Sequence, residues 1–115
     1  MSDRGSISTH VLDLVRGGPA QAVPVRLERQ DGEGWALVTE GRTDGDGRIG
    51  GLVPKGEAVA GTYRIRFDTG AWFQATGTVG FYPYVEVVFV VAAGGGHYHV
   101  PLLLGPYGYS TYRGS

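Results

Sequence analysis

An all-β sandwich is the fold class this sequence predicts, and three observations predict it. Apolar runs are short, and turn signals part them every ~8–12 residues, giving about seven or eight strands, the spacing of a β-sandwich. Apolar and polar residues alternate with a period of two, as a half-buried strand requires, most clearly over residues 23–29 (VPVRLER). The 21 glycines lie between the apolar runs and keep no collagen period, so they read as turn punctuation.

Taken in order, residues 7–14 (ISTHVLDL) form a β-branched first strand, with Ser8, His10 and Leu12 on one face and Thr9 and Val11 on the other. Gly17-Gly18-Pro19 ends it. Over 23–29, Val23, Val25 and Leu27 share the buried face, with Arg26 and Glu28 opposite. A turn at Asp31-Gly32 and Gly34 brings residues 35–39 (WALVT) back as a hairpin. Residues 40–51 (EGRTDGDGRIGG) are the most polar stretch, with two successive Asp-Gly steps suited to turns. Leu52-Val53-Pro54 amounts at most to a short edge strand.

Residues 62–69 (TYRIRFDT) form a strand with Tyr63, Ile65 and Phe67 on one face. Asp68 or Thr69 then caps a single helical turn whose Trp72, Phe73 and Ala75 pack on the sheet and which Gly77 closes. Residues 81–83 turn. Residues 85–92 (VEVVFVVA) are nearly all apolar, which predicts burial on both faces. After Gly94-Gly95-Gly96, residues 97–104 (HYHVPLLL) form the last long strand. Pro101 has no N–H to give a ladder, so that strand needs an edge, a bulge or a special partner there.

Composition bounds the function. At 115 residues the chain is one domain, read as a flexible N-terminus over 1–6 and a single domain over 7–115. With no cysteine, disulfides, thiolate metal sites and cysteine nucleophiles are excluded. A net charge of −1 gives no electrostatic footprint for nucleic acid or an anionic membrane. No apolar run approaches the ~20 residues that span a bilayer. The opening MSDRGSISTH lacks the apolar segment of a secretory signal, so a soluble cytoplasmic protein is expected.

Three clusters carry candidate chemistry. His97 and His99 share a strand face. They fall short of a zinc site, which needs at least a third ligand such as His10 or a carboxylate, whereas a neutral imidazole serves as a general base near pH 7. Arg48 follows the Gly/Asp turn and presents a fork suited to a carboxylate, imide or enolate oxygen. The closing segment YGYSTYRGS holds Tyr107 and Tyr109 on one face and Ser110 with Tyr112 on the other, beside Arg113. Tyrosine-rich segments also serve oligomer packing. There is no G-x-S-x-G elbow and no Walker spacing.

Together STHVLD at 8–13, TDGDGR at 43–48, FDTGAWF at 67–73, HYHVPLLL at 97–104 and YGYSTYRGS at 107–115 resemble 5-hydroxyisourate hydrolase, the transthyretin-related enzyme of urate breakdown. The resemblance runs in order over 7–115, and its specific part is YRGS, a tail that hormone-carrying transthyretins lack. It implies a transthyretin-like sandwich of two four-stranded sheets with one short helix, assembled as a homotetramer with sites between dimers. It implies hydrolysis of 5-hydroxyisourate to 2-oxo-4-hydroxy-4-carboxy-5-ureidoimidazoline without metal or cofactor. The family's functional residues fall on His10, Arg48, His99 and Tyr112, so catalysis is expected from His10, Arg48 and His99, and substrate binding from His10, Arg48 and Tyr112 with Arg113 and Ser115 of the same tail. Asp44 and Gly105-Pro106-Tyr107 depart from the family's usual residues, and neither departure touches a site position. Two other classes remain open: a carrier binding a small aromatic ligand in the tetramer channel, and a structural sandwich that assembles other proteins.

Overall fold

The computed structural model describes residues 3–115. Two sheets pack face to face. One contains β1 (Gly5–Asp13), the two-residue β2 (Gly18–Pro19), β5 (Arg48–Ala58), β8 (His97–Leu104) and β9 (Tyr109–Thr111). The other has the order β4-β3-β6-β7, from β3 (Pro24–Asp31), β4 (Gly34–Arg42), β6 (Gly61–Phe67) and β7 (Val85–Val91). One helix, α1 (Thr69–Ala75), links β6 to β7. The all-β sandwich with one short helix is therefore as predicted, with β2 a stub on the edge of β1 that β5 also occupies.

The core comes from the inward positions of each strand. Ile7 and Val11 of β1, Val25 and Leu27 of β3, Ile65 and Phe67 of β6, and Leu102 and Leu104 of β8 are all buried. On β1 alternation is strict, so Ser6, Ser8, His10 and Leu12 point away from the core. The strand begins at Gly5, earlier than residue 7, and Met1 and Ser2 of the expected flexible N-terminus lie outside the described residues. Gly5 is needed there because a Cβ would run into the carbonyl oxygen of Gly96.

Four local expectations are corrected. Residues 52–54 belong to the 11-residue β5, which pairs with β1 through two register shifts. Those bulges use Gly51 and Gly56 at positive φ and hide the alternation that marks a strand. Strand β7 is not buried on both faces. It is the edge of its sheet, and Val88 and Val90 are 58% and 67% exposed. An apolar run reports attraction to a core but not which face the core lies on. In α1, Trp72 and Phe73 are buried as predicted, but Ala75 is exposed. Glu28 is buried, though on the outer face, because the Arg64 guanidinium covers it and donates to Oε1 at 2.8 and 3.0 Å.

Among the described residues no helix is long and apolar enough to cross a membrane.

Candidate active site

The site is built where β1, β5 and β8 lie side by side. Strand β8 pairs parallel to β1, with Ser8 opposite His99 and His10 opposite Pro101. Strand β5 pairs on β1's other edge, with His10 opposite Arg48. The outward positions of three strands thus bring His10, His97, His99 and Arg48 to one face, although they are far apart in sequence. They line an open cleft of about 380 Å³ together with Ser8, Tyr112, Gly114 and Ser115.

The loop TDGDGR is pinned at one end to the segment before β3 and at the other to β1. Thr43, buried, accepts from Val23 N–H and donates to Ala20 O. Gly47 takes φ 74°, and its carbonyl accepts from Val11 N–H at 2.7 Å. A Cβ on Gly47 would strike Val11 O, so only glycine lets the loop lie against the strand. Asp44 Oδ1 accepts the N–H of Asp46 at 2.9 Å and of Arg48 at 3.0 Å, an Asx-type turn. The Arg48 N–H is the main reason the Asp44 carboxyl stays below its ordinary range. The turn also presents the Asp46 carbonyl to His10 Nε2 at 2.9 Å. A carbonyl only accepts, so Nε2 carries the proton and Nδ1 of neutral His10 is the bare nitrogen.

His99 is half-buried, with Nδ1 2.8 Å from Ser8 Oγ. Its other nitrogen, Nε2, is left for a ligand. Burial first, then the positive charge of Arg48 and the neighbouring His10 and His97, hold its pKa below the ordinary 6.5. The His10 and His99 rings stand 6.5 Å apart between centroids, and His97 stacks on His99 at 6.4 Å.

The closing segment reaches the cleft through an interrupted ladder. Strand β9 pairs with β8 from Leu104↔Tyr109 to Leu102↔Thr111, and His99↔Gly114 continues the same register as an isolated bridge. The gap falls at Pro101, as its missing N–H predicts, and Thr111 Oγ1 donates to the Pro101 carbonyl at 2.8 Å instead. By this register Tyr112 lies opposite Pro101 and Gly114 opposite His99, both on the cleft face. Arg113 lies opposite Val100, on the other face, with its guanidinium 4.5 Å over the Tyr98 ring. The structure therefore brings together His10, Arg48, His99, Tyr112 and Ser115, and does not bring Arg113 into the cleft. Ser8 and Gly114 are site residues that sequence reasoning missed. His97, noticed there as a same-face histidine, was given no role. The signal for Ser8 was its shared face with His10.

Among the described residues no group of three or more His, Asp or Glu could hold a metal ion.

The sequence model of the HIUase/Transthyretin family matches residues 7–114. The chain belongs to the HIUase/transthyretin family. Within this family it is 47% identical over 109 residues to the 5-hydroxyisourate hydrolase of Salmonella typhimurium, covering 95% of this chain and 80% of that one. The structure of Klebsiella pneumoniae 5-hydroxyisourate hydrolase superposes with a TM-score of 0.85 at 36% identity, covering 100% of this chain and 97% of the other. The transthyretin of Sparus aurata superposes with 0.90 at 35% identity, covering 96% and 97%. A protein named as a hydrolase and one named as a transthyretin share this fold, so the fold alone does not decide between them and the cleft residues must.

Proposed function

We propose that this protein is a cyclic amide hydrolase that opens 5-hydroxyisourate to 2-oxo-4-hydroxy-4-carboxy-5-ureidoimidazoline. The observation that carries this reading is the convergence of His10, Arg48 and His99 on one cleft beside Tyr112 and Ser115. A general base, an orienting imidazole and a fixed cation are the groups that water attack on a ring amide requires. The likeness to named hydrolases over nearly the whole chain supports the same substrate.

In the mechanism, Arg48 and the closing segment hold the oxygens of a flat, polar, weakly acidic heterocycle. His99 Nε2 takes a proton from a water that adds to the amide carbonyl carbon. The depressed pKa of His99 keeps the ring neutral at neutral pH, and Nε2 is the bare nitrogen when Nδ1–H donates to Ser8 Oγ. His10, with Nε2 fixed on Asp46 O, holds the water through Nδ1. As the carbonyl oxygen gains charge, the Arg48 guanidinium stabilises it. The ring C–N bond then breaks, and its nitrogen takes back the proton held on His99 Nε2. We also propose a cytoplasmic homotetramer. The exposed Tyr107, Tyr109 and Tyr112, and the uncovered valines of β7, support burial against other copies.

The test is a coupled absorbance assay in which a uricase generates fresh 5-hydroxyisourate and its decay is followed with and without this protein. Accelerated decay, lost in His10→Ala, Arg48→Ala and His99→Ala proteins that still fold, supports the reading, and unchanged decay overturns it. The carrier reading draws on the Sparus aurata likeness. It predicts no acceleration, together with a thermal shift on adding phenolic ligands.

A further inference from the structure

From His99 Nδ1 runs a chain of hydrogen-bonding groups, Ser8, His97 and Ser6, that the mechanism above does not use. Ser6 Oγ is 2.6 Å from His97 Nδ1, His97 Nε2 is 3.2 Å from Ser8 Oγ, and Ser8 Oγ is 2.8 Å from His99 Nδ1. The four side chains alternate along the cleft face of β1 and β8, from half-buried His99 to exposed His97.

We propose that Ser8 and His97 form a proton wire that lets His99 act first as base and then as acid without becoming an imidazolium. This rests on the hydrolase reading above.

Each imidazole in the chain, while neutral, has one donor and one acceptor nitrogen, and each hydroxyl donates once. The chain therefore has two ordered states. In the first, His99 Nδ1–H donates to Ser8 Oγ, Ser8 O–H donates to His97 Nε2, and His97 Nδ1–H donates to Ser6 Oγ. His99 Nε2 is then bare, and His99 is a base. In the second, every bond is reversed, Nε2 carries hydrogen, and His99 is an acid.

The chemistry converts one state into the other. When water loses a proton to His99 Nε2, the Nδ1 proton moves to Ser8 Oγ. The Ser8 hydroxyl proton moves to His97 Nε2, and the His97 Nδ1 proton leaves to solvent. Water's remaining hydroxide forms the new C–O bond. When the ring C–N bond breaks, His99 gives its Nε2 proton to the leaving nitrogen. Solvent then returns one proton to His97 Nδ1, and the chain reverts. Protons balance over the cycle, and the new carboxyl loses its own proton to water.

The surroundings favour such a route over a charged intermediate. Arg48 from β5, His10 from β1 and His97 from β8 all face His99, with Tyr112 from the closing segment beside them. Burial itself and three of these neighbours, Arg48, His10 and His97, oppose a positive charge on the ring, so a base that sheds one proton as it gains another avoids that cost.

The test uses the full chain. Steady-state rates are measured in mixtures of H2O and D2O for the unaltered protein, Ser8→Ala and Ser8→Thr. Several protons moving together give a curved dependence on deuterium fraction. Expected results are a curved plot for the unaltered protein, a kcat lowered roughly tenfold with KM unchanged and a linear plot for Ser8→Ala, and recovery in Ser8→Thr. An unchanged kcat, or a plot of the same curvature in folded Ser8→Ala, overturns the wire. Ring 15N spectra supply a readout that needs no turnover: His97→Gln should change the tautomer populations of His99, and an unchanged His99 spectrum overturns the coupling. If the unaltered protein does not hydrolyse 5-hydroxyisourate, the activity reading fails on its own while the spectra still judge the chain.

Discussion

Gly114→Ala is the sharpest single perturbation of the site. A Cβ built on Gly114 would stand 2.5 Å from His99 Cδ2, 3.2 Å from Cγ and 3.3 Å from the His99 Cβ. Ordinary carbon contacts are about 3.5–4.0 Å, so the ring or the segment must move by roughly 1 Å. The φ of Gly114 lies outside the left-handed region, so backbone strain adds nothing and the effect is steric. If the segment lifts, the Gly114 N–H bond to His99 O at 2.8 Å is lost, which costs about 1 kcal/mol. For a domain of this size that is a fall in Tm of a few degrees. A misplacement of about 1 Å at the reacting groups costs about 10²-fold in rate, or roughly 2.7 kcal/mol of barrier. Gly114→Ala should therefore cut kcat on 5-hydroxyisourate about a hundredfold while the thermal melt stays close to that of the unaltered protein. Full turnover in a folded Gly114→Ala protein would refute the reasoning, because it would mean that the position of His99 against the closing segment does not matter to catalysis.

The remaining predictions concern pH, charge and packing. Because His99 is held below 6.5, its bare form persists below pH 6.5, and kcat/KM should hold from neutral pH and fall only in more acidic buffer. The same shift makes the unfolded chain bind a proton first, so stability should decline as pH drops through the window just below 6.5, and His99→Gln should flatten that decline in urea titrations. Arg48→Ala should lower kcat about 10²–10³-fold through loss of oxyanion stabilisation. Arg113→Ala should keep most of the turnover and cost about 0.5–1 kcal/mol by losing its place over Tyr98. Leu27→Ala, at a fully buried position, should destabilise by about 2–5 kcal/mol, seen as a lower urea midpoint with an unchanged slope.

The fold was legible wherever one face of a strand met the core and the other met water. Strands β1, β3 and β6 show this, because Ile7, Leu27 and Ile65 each sit between polar neighbours. It was illegible where that contrast failed. Strand β5 breaks its own period with two register shifts, and glycines supply the freedom to do so without leaving an apolar signature. Strand β7 has apolar residues on both faces, so nothing local distinguishes a central strand from an edge. Glu28 shows a third limit: its burial depends on Arg64, 36 residues away on the neighbouring strand.

The site divides along the same line. The turn that presents Arg48 is local, and Asp44, Gly47 and Arg48 could be read as one device from TDGDGR. The meeting of that turn with two histidines is not local. Ser8 and His99 lie 91 residues apart and meet only because β1 and β8 pair in parallel at one register. A slip of a single residue would turn every cleft side chain of β8 into the core, so the register is held by Tyr98, Val100 and Leu102 on the buried face. Packing on one face of the strand thus decides chemistry on the other. The closing segment obeys the same rule. Gly114 stands opposite His99, so alternation puts Tyr112 on the cleft face and Arg113 off it. The sequence reading placed Arg113 among the substrate contacts, and the pleat sets its guanidinium over Tyr98.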